Sequence, residues 1–200
     1  METGIFSSPD QRWIRILDKY LGEFGIALPE FPSVLDVACG NNATWNYLAL
    51  VGYLGSKNLG VPRYVAIDVS EEAFAKAKEA LQGLAHFISC DARDMRRYVE
   101  GPFHLVLCQH PPLTISKKGP KIWEEIFEEV SLILDPQGCM VLTSFWLNDH
   151  IPAQICVKKA GLEILYSGKN AFGGKIFDRS EDGEELRYDK YVLVARKARS

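Results

Sequence analysis

The run Val34-Leu35-Asp36-Val37-Ala38-Cys39-Gly40-Asn41-Asn42 carries apolar residues almost unbroken into a turn whose Gly and Asn residues adopt positive φ with little strain. From Ala43 to about Leu54 the pattern becomes helical, with Leu48, Leu50, Val51 and Leu54 among good helix formers. Buried strand, tight turn and helix place the turn at the carboxyl end of a strand. In open α/β sheets ligands bind there, facing the free N–H groups of the helix start.

The alternation continues along the chain. Residues 10 to 24 read as an amphipathic helix with Trp13, Ile14, Ile16, Leu17, Tyr20, Leu21 and Phe24 on one face, Asp10 as N-cap and Gly25 as stop. Pro29 and Pro32 separate it from the first strand, and the helix is expected to pack across the sheet or over the cleft. Gly52, Gly55, Gly60 and Pro62 mark a loop before a second strand, Tyr64 to Ile67, ending at Asp68. Ser70 is a cap for the next helix, with Glu71 and Glu72 at its positive end and Gly83 after it. Ala85 to Cys90, closed by Asp91, is the third strand; Phe103 to Cys108, running into Gln109-His110-Pro111-Pro112, is the fourth. Helical spacing over 119–134 leads through Asp135-Pro136-Gln137-Gly138 to a fifth strand, Cys139 to Phe145. A helix from about Pro152 to Ala160, a strand from Leu162 to Tyr166 and a last strand from Tyr191 to Ala195 complete the set.

Such alternation implies parallel pairing with helices on both faces. Between Tyr166 and Tyr191 there is no helical period, only Gly168, Gly173, Gly174 and Gly183 among charged residues, so the last two strands are expected as an antiparallel hairpin with a long loop. With 200 residues, 47 % of them hydrophobic, and no repeat or linker, a single domain is expected over 1–200: an N-terminal helix and lead-in to residue 32, and a core over 33–197.

A net charge of −3 gives no global pull toward nucleic acid or an anionic membrane. The N-terminus has neither a basic start nor a long apolar run, and no stretch reaches spanning length, so neither signal peptide nor membrane is expected and the location is read as cytoplasmic. Cys39, Cys90, Cys108, Cys139 and Cys156 lie in or beside apolar runs without a C-x-x-C pair, and read as buried free thiols. His86, His104, His110 and His150 lack metal-ligand spacing, so no metal is expected.

Acids recur at three consecutive strand ends: Asp36 in the first turn region, Asp68 after the second strand and Asp91 after the third. An ionised carboxylate only accepts hydrogen bonds, which suits an acid at the second strand end to the paired hydroxyls of a ribose. A polar residue after the third strand suits the amino edge of adenine. The register Gly40-Asn41-Asn42-Ala43-Thr44-Trp45 keeps only the first of the three glycines of a dinucleotide site, and Trp45 at the third is expected to hold helix and strand apart, which argues against NAD.

At these residues the chain resembles the class I S-adenosylmethionine-dependent methyltransferases, whose first motif reads roughly hydrophobic-hydrophobic-Asp-x-x-Cys-Gly-x-Gly. Residues 34–42 match it, with Asn42 in place of the second glycine; Asn tolerates a left-handed backbone but narrows the space over the turn. The resemblance extends through Asp68, Cys90-Asp91-Ala92, Leu134-Asp135-Pro136-Gln137-Gly138 and Ala160-Gly161-Leu162-Glu163-Ile164. It implies an α/β, doubly wound, mostly parallel seven-stranded sheet in the order 3-2-1-4-5-7-6, the seventh strand antiparallel. It also implies S-adenosylmethionine as cofactor. Asp36, Ala38, Gly40 and Asn42 would surround its methionine part, Asp68 and Val69 its ribose side, Asp91 and the Ala92 backbone its adenine, with Gln109 alongside.

The fourth strand end is the expected place of catalysis. Gln109-His110-Pro111-Pro112-Leu113 resembles the Asn-Pro-Pro-aromatic motif of members that methylate planar nitrogens, with His110 in place of Asn and Leu113 in place of the aromatic residue. His110 and Gln109 are therefore the catalytic candidates, His110 as general base for a hydroxyl, thiol or ring nitrogen. Lys117, Lys118 and Lys121 follow as an attraction for an anionic substrate or RNA, or as a solvated face. Trp146, Asn148, Asp149 and His150 are candidates for the acceptor pocket, and residues 166–187, with Phe172 and Phe177, for a flap. The expected function is a methyltransferase acting on a small molecule, with nucleobase or RNA also open and a protein partner possible. The rivals are a non-catalytic cofactor-binding scaffold or partner-activating subunit of the same fold, and an aminopropyltransferase, which lacks support because no acidic pair follows the fourth strand.

Overall fold

The structure, a computed structural model, describes residues 11–173, 176–179 and 185–198. Asp10, Gly174 and Gly183 lie outside them. In chain order the elements are α1 (Gln11–Glu23), β1 (Ser33–Val37), a 3-10 turn (Gly40–Asn42), α2 (Ala43–Ser56), β2 (Arg63–Asp68), α3 (Glu71–Ala80) and β3 (Ala85–Ser89). A second 3-10 segment (Ala92–Arg97) leads to β4 (Phe103–Gln109), α4 (Gly119–Ile133), β5 (Leu134–Ser144), α5 (Leu147–Lys159) and β6 (Leu162–Lys169). A small hairpin, β7 (Ile176–Arg179) with β8 (Glu185–Arg187), precedes β9 (Tyr191–Lys197).

The main sheet has seven strands in the order β3-β2-β1-β4-β5-β9-β6. Counting β9 as its seventh strand, this is the expected 3-2-1-4-5-7-6. The pairs β1–β2, β1–β4, β2–β3 and β4–β5 are parallel, whereas β9 runs antiparallel to both β5 and β6. Successive side chains alternate between the faces, as the pleat requires. Leu35, Val37, Met140, Leu142, Leu193 and Ala195 join the α4–α5 layer, while Val34, Cys139, Val141, Val192 and Val194 join the layer of α1, α2 and α3. Trp13, Ile16, Leu17, Tyr20 and Leu21 of α1 are buried in that second layer, so α1 packs across the sheet. All five cysteines are buried and free.

Three boundaries differ from the sequence expectation. Gly52 and Gly55 lie inside α2 rather than in a loop, because Ala49, Leu50, Tyr53 and Leu54 bury a continuous face that outweighs glycine's weak propensity. α5 starts at Leu147, five residues ahead of Pro152, which it accommodates within the helix. The turn at Asp135–Gly138 is drawn into β5, whose pairing with β4 slips between Phe103 and Leu105. Ser70 does occupy the position before α3, but its hydroxyl donates to Glu72 and no side-chain cap forms. Among the described residues no helix is long and apolar enough to cross a membrane.

Candidate active site

The parallel strands all end on one edge, and the turn after β1 opens there. Ala38 and Gly40 carry the positive φ, at 52° and 50°, while Asn42 is right-handed at φ −90°. Asn42 therefore does not stand in for a left-handed glycine, and the positive φ expected of it falls two and four residues earlier. A Cβ on Gly40 would meet no atom within 4 Å, so the face above the turn has room for a ligand. Trp45 does not wedge α2 from β1 as expected. It is 40 % exposed, and Ala43, Asn46 and Tyr47 take the buried positions of the first turn.

The three acids play different parts. Asp36 is fully buried, and its Oδ2 accepts from the Tyr64 hydroxyl and from Asn46 Nδ2 at 2.9 Å. Burial pushes its carboxyl up to about 6, against the Tyr64 and Asn46 hydrogen bonds that lower it. It clamps β1, β2 and α2 from beneath the turn rather than presenting a face to solvent. Asp68 accepts from the Gly40 amide at 2.9 Å through Oδ2 and from the Ser70 amide at 3.0 Å through Oδ1, so the end of β2 is fastened to the turn. Next to it, Val69 is 77 % exposed, an apolar surface without a protein neighbour to bury it. Asp91 caps the second 3-10 segment through the Arg93 amide and grips the Arg93 guanidinium through both oxygens, which holds its carboxyl below the usual carboxylate range. Its neighbour Ala92 packs against the core.

Pairing of Val37 with Cys108 sets Gln109 and His110 beside the Ala38–Gly40 turn. His110 has φ 55°, its amide donates to the Thr143 carbonyl at 2.9 Å, and its ring stacks on Phe145 with centroids 3.5 Å apart. Its Nε2 lies 2.8 Å from Oδ1 of Asp189, which is fully buried two residues before β9. The Asp189 amide is 3.3 Å from the same nitrogen. The shorter contact, to a carboxylate that can only accept, sets the proton on Nε2. Nδ1 is then the basic nitrogen of the neutral ring, and no contact in the described residues engages it.

Asp189 gathers further partners: Gln109 Nε2 at 3.1 Å, Thr143 Oγ1 at 2.7 Å and Arg12 Nε at 2.9 Å. Burial alone would raise its carboxyl, but the His110 hydrogen bond, the charges of His110 and Arg12 and the Thr143 hydroxyl outweigh it, and the group sits below its ordinary value. With Nε2 committed to Asp189, the Gln109 Oε1 is a buried acceptor without a hydrogen-bond partner. Tyr188 completes the surroundings, edge-on to Phe145 at 5.5 Å with Arg12 over its ring.

The sequence candidates thus divide. Gln109 and His110 are brought together on one carboxylate, beside the turn that carries Ala38 and Gly40. Leu113 is fully buried in the core and cannot stack on an acceptor. Asp149 accepts from the Thr114 amide and hydroxyl, so it fastens the loop after β4 to α5. His150 is buried, bonded to Ser167 and stacked on Tyr191, and burial pushes its pKa down to about 4, which keeps it neutral. Phe172 packs on the α1 layer and the Tyr166 ring lies tilted against Tyr20, so packing on that layer accounts for these partly buried flap residues, while the Phe177 side chain lies outside the described residues. Arg12, Thr143, Phe145, Tyr188 and Asp189 carry no signal in the sequence, because they come from three distant stretches, α1, the end of β5 and the turn before β9, and only the fold brings them to His110.

A family model described as "Methyltransferase domain" matches residues 32–189. The fold is shared with a S-adenosylmethionine-dependent methyltransferase from Clostridium acetobutylicum, at 14 % identity and TM-score 0.64 over 98 % of this chain and 94 % of that one. A methyltransferase of the same kind from Methanosarcina mazei is 20 % identical with TM-score 0.61, over 90 % and 99 %. A TehB-like one from Corynebacterium glutamicum is 16 % identical with TM-score 0.59, over 94 % and 88 %. The chain belongs to the class I S-adenosylmethionine-dependent methyltransferase family.

Proposed function

We propose that the chain binds S-adenosylmethionine along the edge from the Gly40 turn to Gln109 and methylates a small acceptor whose proton His110 removes. The carrying observation is the buried Asp189 that holds His110 Nε2 beside that turn and leaves Nδ1 open. Three features fit the cofactor: the free space above Gly40, the exposed apolar Val69 beside Asp68, and the orphan acceptor on Gln109. When bound, S-adenosylmethionine supplies a methyl group on a sulfonium.

The chain's own residues then have separable tasks. Asp68 and Val69 would meet the ribose side, Asp91 and Ala92 the adenine, and Ala38, Gly40, Asn42 and Gln109 the methionine part, with Asp36 bracing the turn from below. Asp189 fixes the ring of His110 and its tautomer through Nε2, which leaves Nδ1 to accept a proton, while Arg12 pairs with the same carboxylate. Alignment and exclusion of water supply most of what a methyl transfer needs from a protein, and proton removal at a hydroxyl, thiol or ring nitrogen supplies the rest. The burial of Leu113 disfavours a stacked amino acceptor.

Calorimetric titration with S-adenosylmethionine, S-adenosylhomocysteine and NADH tests this reading. Micromolar binding of the first two and none of NADH is expected, and absence of all three would turn the reading toward a scaffold. His110→Ala should keep cofactor affinity within a factor of two while turnover falls on the order of 100-fold or more.

A further inference from the structure

A second concavity opens where β6 ends and β9 begins. It encloses about 460 Å³, within the range that holds small ligands, and is lined by Lys169, Asn170, Ala171, Gly173, Arg187 and Lys190. Among the described residues that line it, three are cations and none is an acid. The gathering is a product of the fold: Lys169 lies opposite Tyr191 in the β6–β9 register, which brings it to the strand that Lys190 precedes. Arg187 and Lys190 also have other partners. Convergence of three cations on one concavity, and not any want of partners, gives the cavity its sign.

The wall of this cavity is fastened to the backbone of Asp189, the residue whose carboxylate holds His110. Asn170 receives Phe172's amide on Oδ1 at 3.0 Å, and its Nδ2 donates to the Asp189 carbonyl at 2.8 Å. Its own amide donates to the Lys190 carbonyl at 2.9 Å. Lys190 therefore stands one residue from Asp189, on the edge of the sheet where the parallel strands end. We propose that the cavity anchors an anionic group, phosphate or carboxylate, carried by the methyl acceptor, while the acceptor's nucleophile lies toward His110. Lysine ammonium and arginine guanidinium groups gathered in a concavity focus their field on such a group and bond it in charge-assisted fashion. What the anion is attached to rests on the methyl-transfer reading; the cavity's affinity for an anion does not.

The test is a titration of the full chain, 15N-labelled, with inorganic phosphate and separately with succinate, at constant ionic strength and with glycerol as neutral control. It is run with and without saturating S-adenosylhomocysteine. Saturable shifts are expected at the amides of Asn170, Ala171, Gly173 and Lys190, absent with glycerol and weakened at least tenfold by Lys169→Gln with Lys190→Gln. S-adenosylhomocysteine affinity should be unchanged in that variant, and Lys169→Gln alone, at an exposed position, keeps the test open if the double variant fails to fold. Tighter phosphate points to a phosphorylated acceptor, tighter succinate to a carboxylated one. Shifts that do not saturate, or that persist unchanged in the variants, would overturn the proposal. Anion binding without S-adenosylhomocysteine binding would leave the cavity standing and remove the methyl-transfer reading.

Discussion

Asp36 and Asp189 are both fully buried, yet their surroundings push their carboxyl groups in opposite directions. Asp36 meets only neutral donors, so burial dominates and its pKa rises from 3.8 to about 6. Its charged form then burdens the fold above about pH 6, by on the order of 3 kcal/mol at neutrality, and that burden shrinks as pH falls and is gone below about 4. Asn in its place can still accept from Tyr64 and Asn46 without a charge. Buried His150, held neutral at a pKa of about 4, loses stability over the same window, so urea unfolding should show stability falling less steeply from pH 7.5 to pH 5 in the wild type than in Asp36→Asn, which should be the more stable of the two at pH 7.5.

Asp189 has charged partners, and the sign reverses. Its lowered pKa means a contribution present above the ordinary carboxylate range and lost as pH falls through the folded value, below the window in which Asp36 titrates. Asp189→Asn turns an acceptor of four donors into a group that must itself donate, and leaves Arg12 against an amide. A loss of about 3 kcal/mol or more is expected, as for other broken buried pairs. The positioning role has its own readout: turnover should fall with little change in S-adenosylhomocysteine affinity, and the pH profile of the rate should shift, which a purely structural defect would not cause.

At the scale of elements, the loop after β4 depends on one close approach. A Cβ on Gly119 would stand 2.1 Å from the Leu113 carbonyl oxygen, a backbone atom that cannot swing aside. Gly119→Ala must then displace either the start of α4 or the loop that follows His110. The expected cost is about 1 to 3 kcal/mol, read by thermal unfolding, with a fall in turnover beyond what stability explains. This is also where sequence reading stops. Strands such as Val34–Val37 and Tyr64–Ile67 were legible because both faces of a parallel sheet are buried and apolar runs follow. The pairing of the last two strands followed from the missing helical period between them. The β7–β8 hairpin was not legible, since its short charged strands carry no alternation. Nor was the partner of His110: a lone Asp between Tyr188 and Lys190 looks like any turn acid until β9 is set antiparallel beside β5, which carries it to Thr143 and the end of β4.

For the molecule as a whole, carboxylates tie the strand ends to the Gly40 turn, α2 and α1 at the candidate cofactor edge. Asp68 holds Gly40, Asp36 holds Tyr64 and Asn46, and Asp189 reaches from the last strand to α1 through Arg12. A ligand bound along that edge stabilises only the folded chain, so its binding should appear as a rise in melting temperature. At one hundred times its dissociation constant a ligand adds about 2.7 kcal/mol, and each kcal/mol raises the midpoint of a chain this size by roughly 2–4 °C. S-adenosylhomocysteine should therefore raise the midpoint by roughly 5–10 °C, and NADH should leave it in place. Asp68→Ala removes both the candidate ribose contact and the bond that holds the Gly40 amide, so it should weaken binding by roughly 1 to 3 kcal/mol and cut the rise at the same ligand concentration. A variant that starts from a lower midpoint but keeps the full rise would assign Asp68 to the turn alone and move the ribose site elsewhere on the edge.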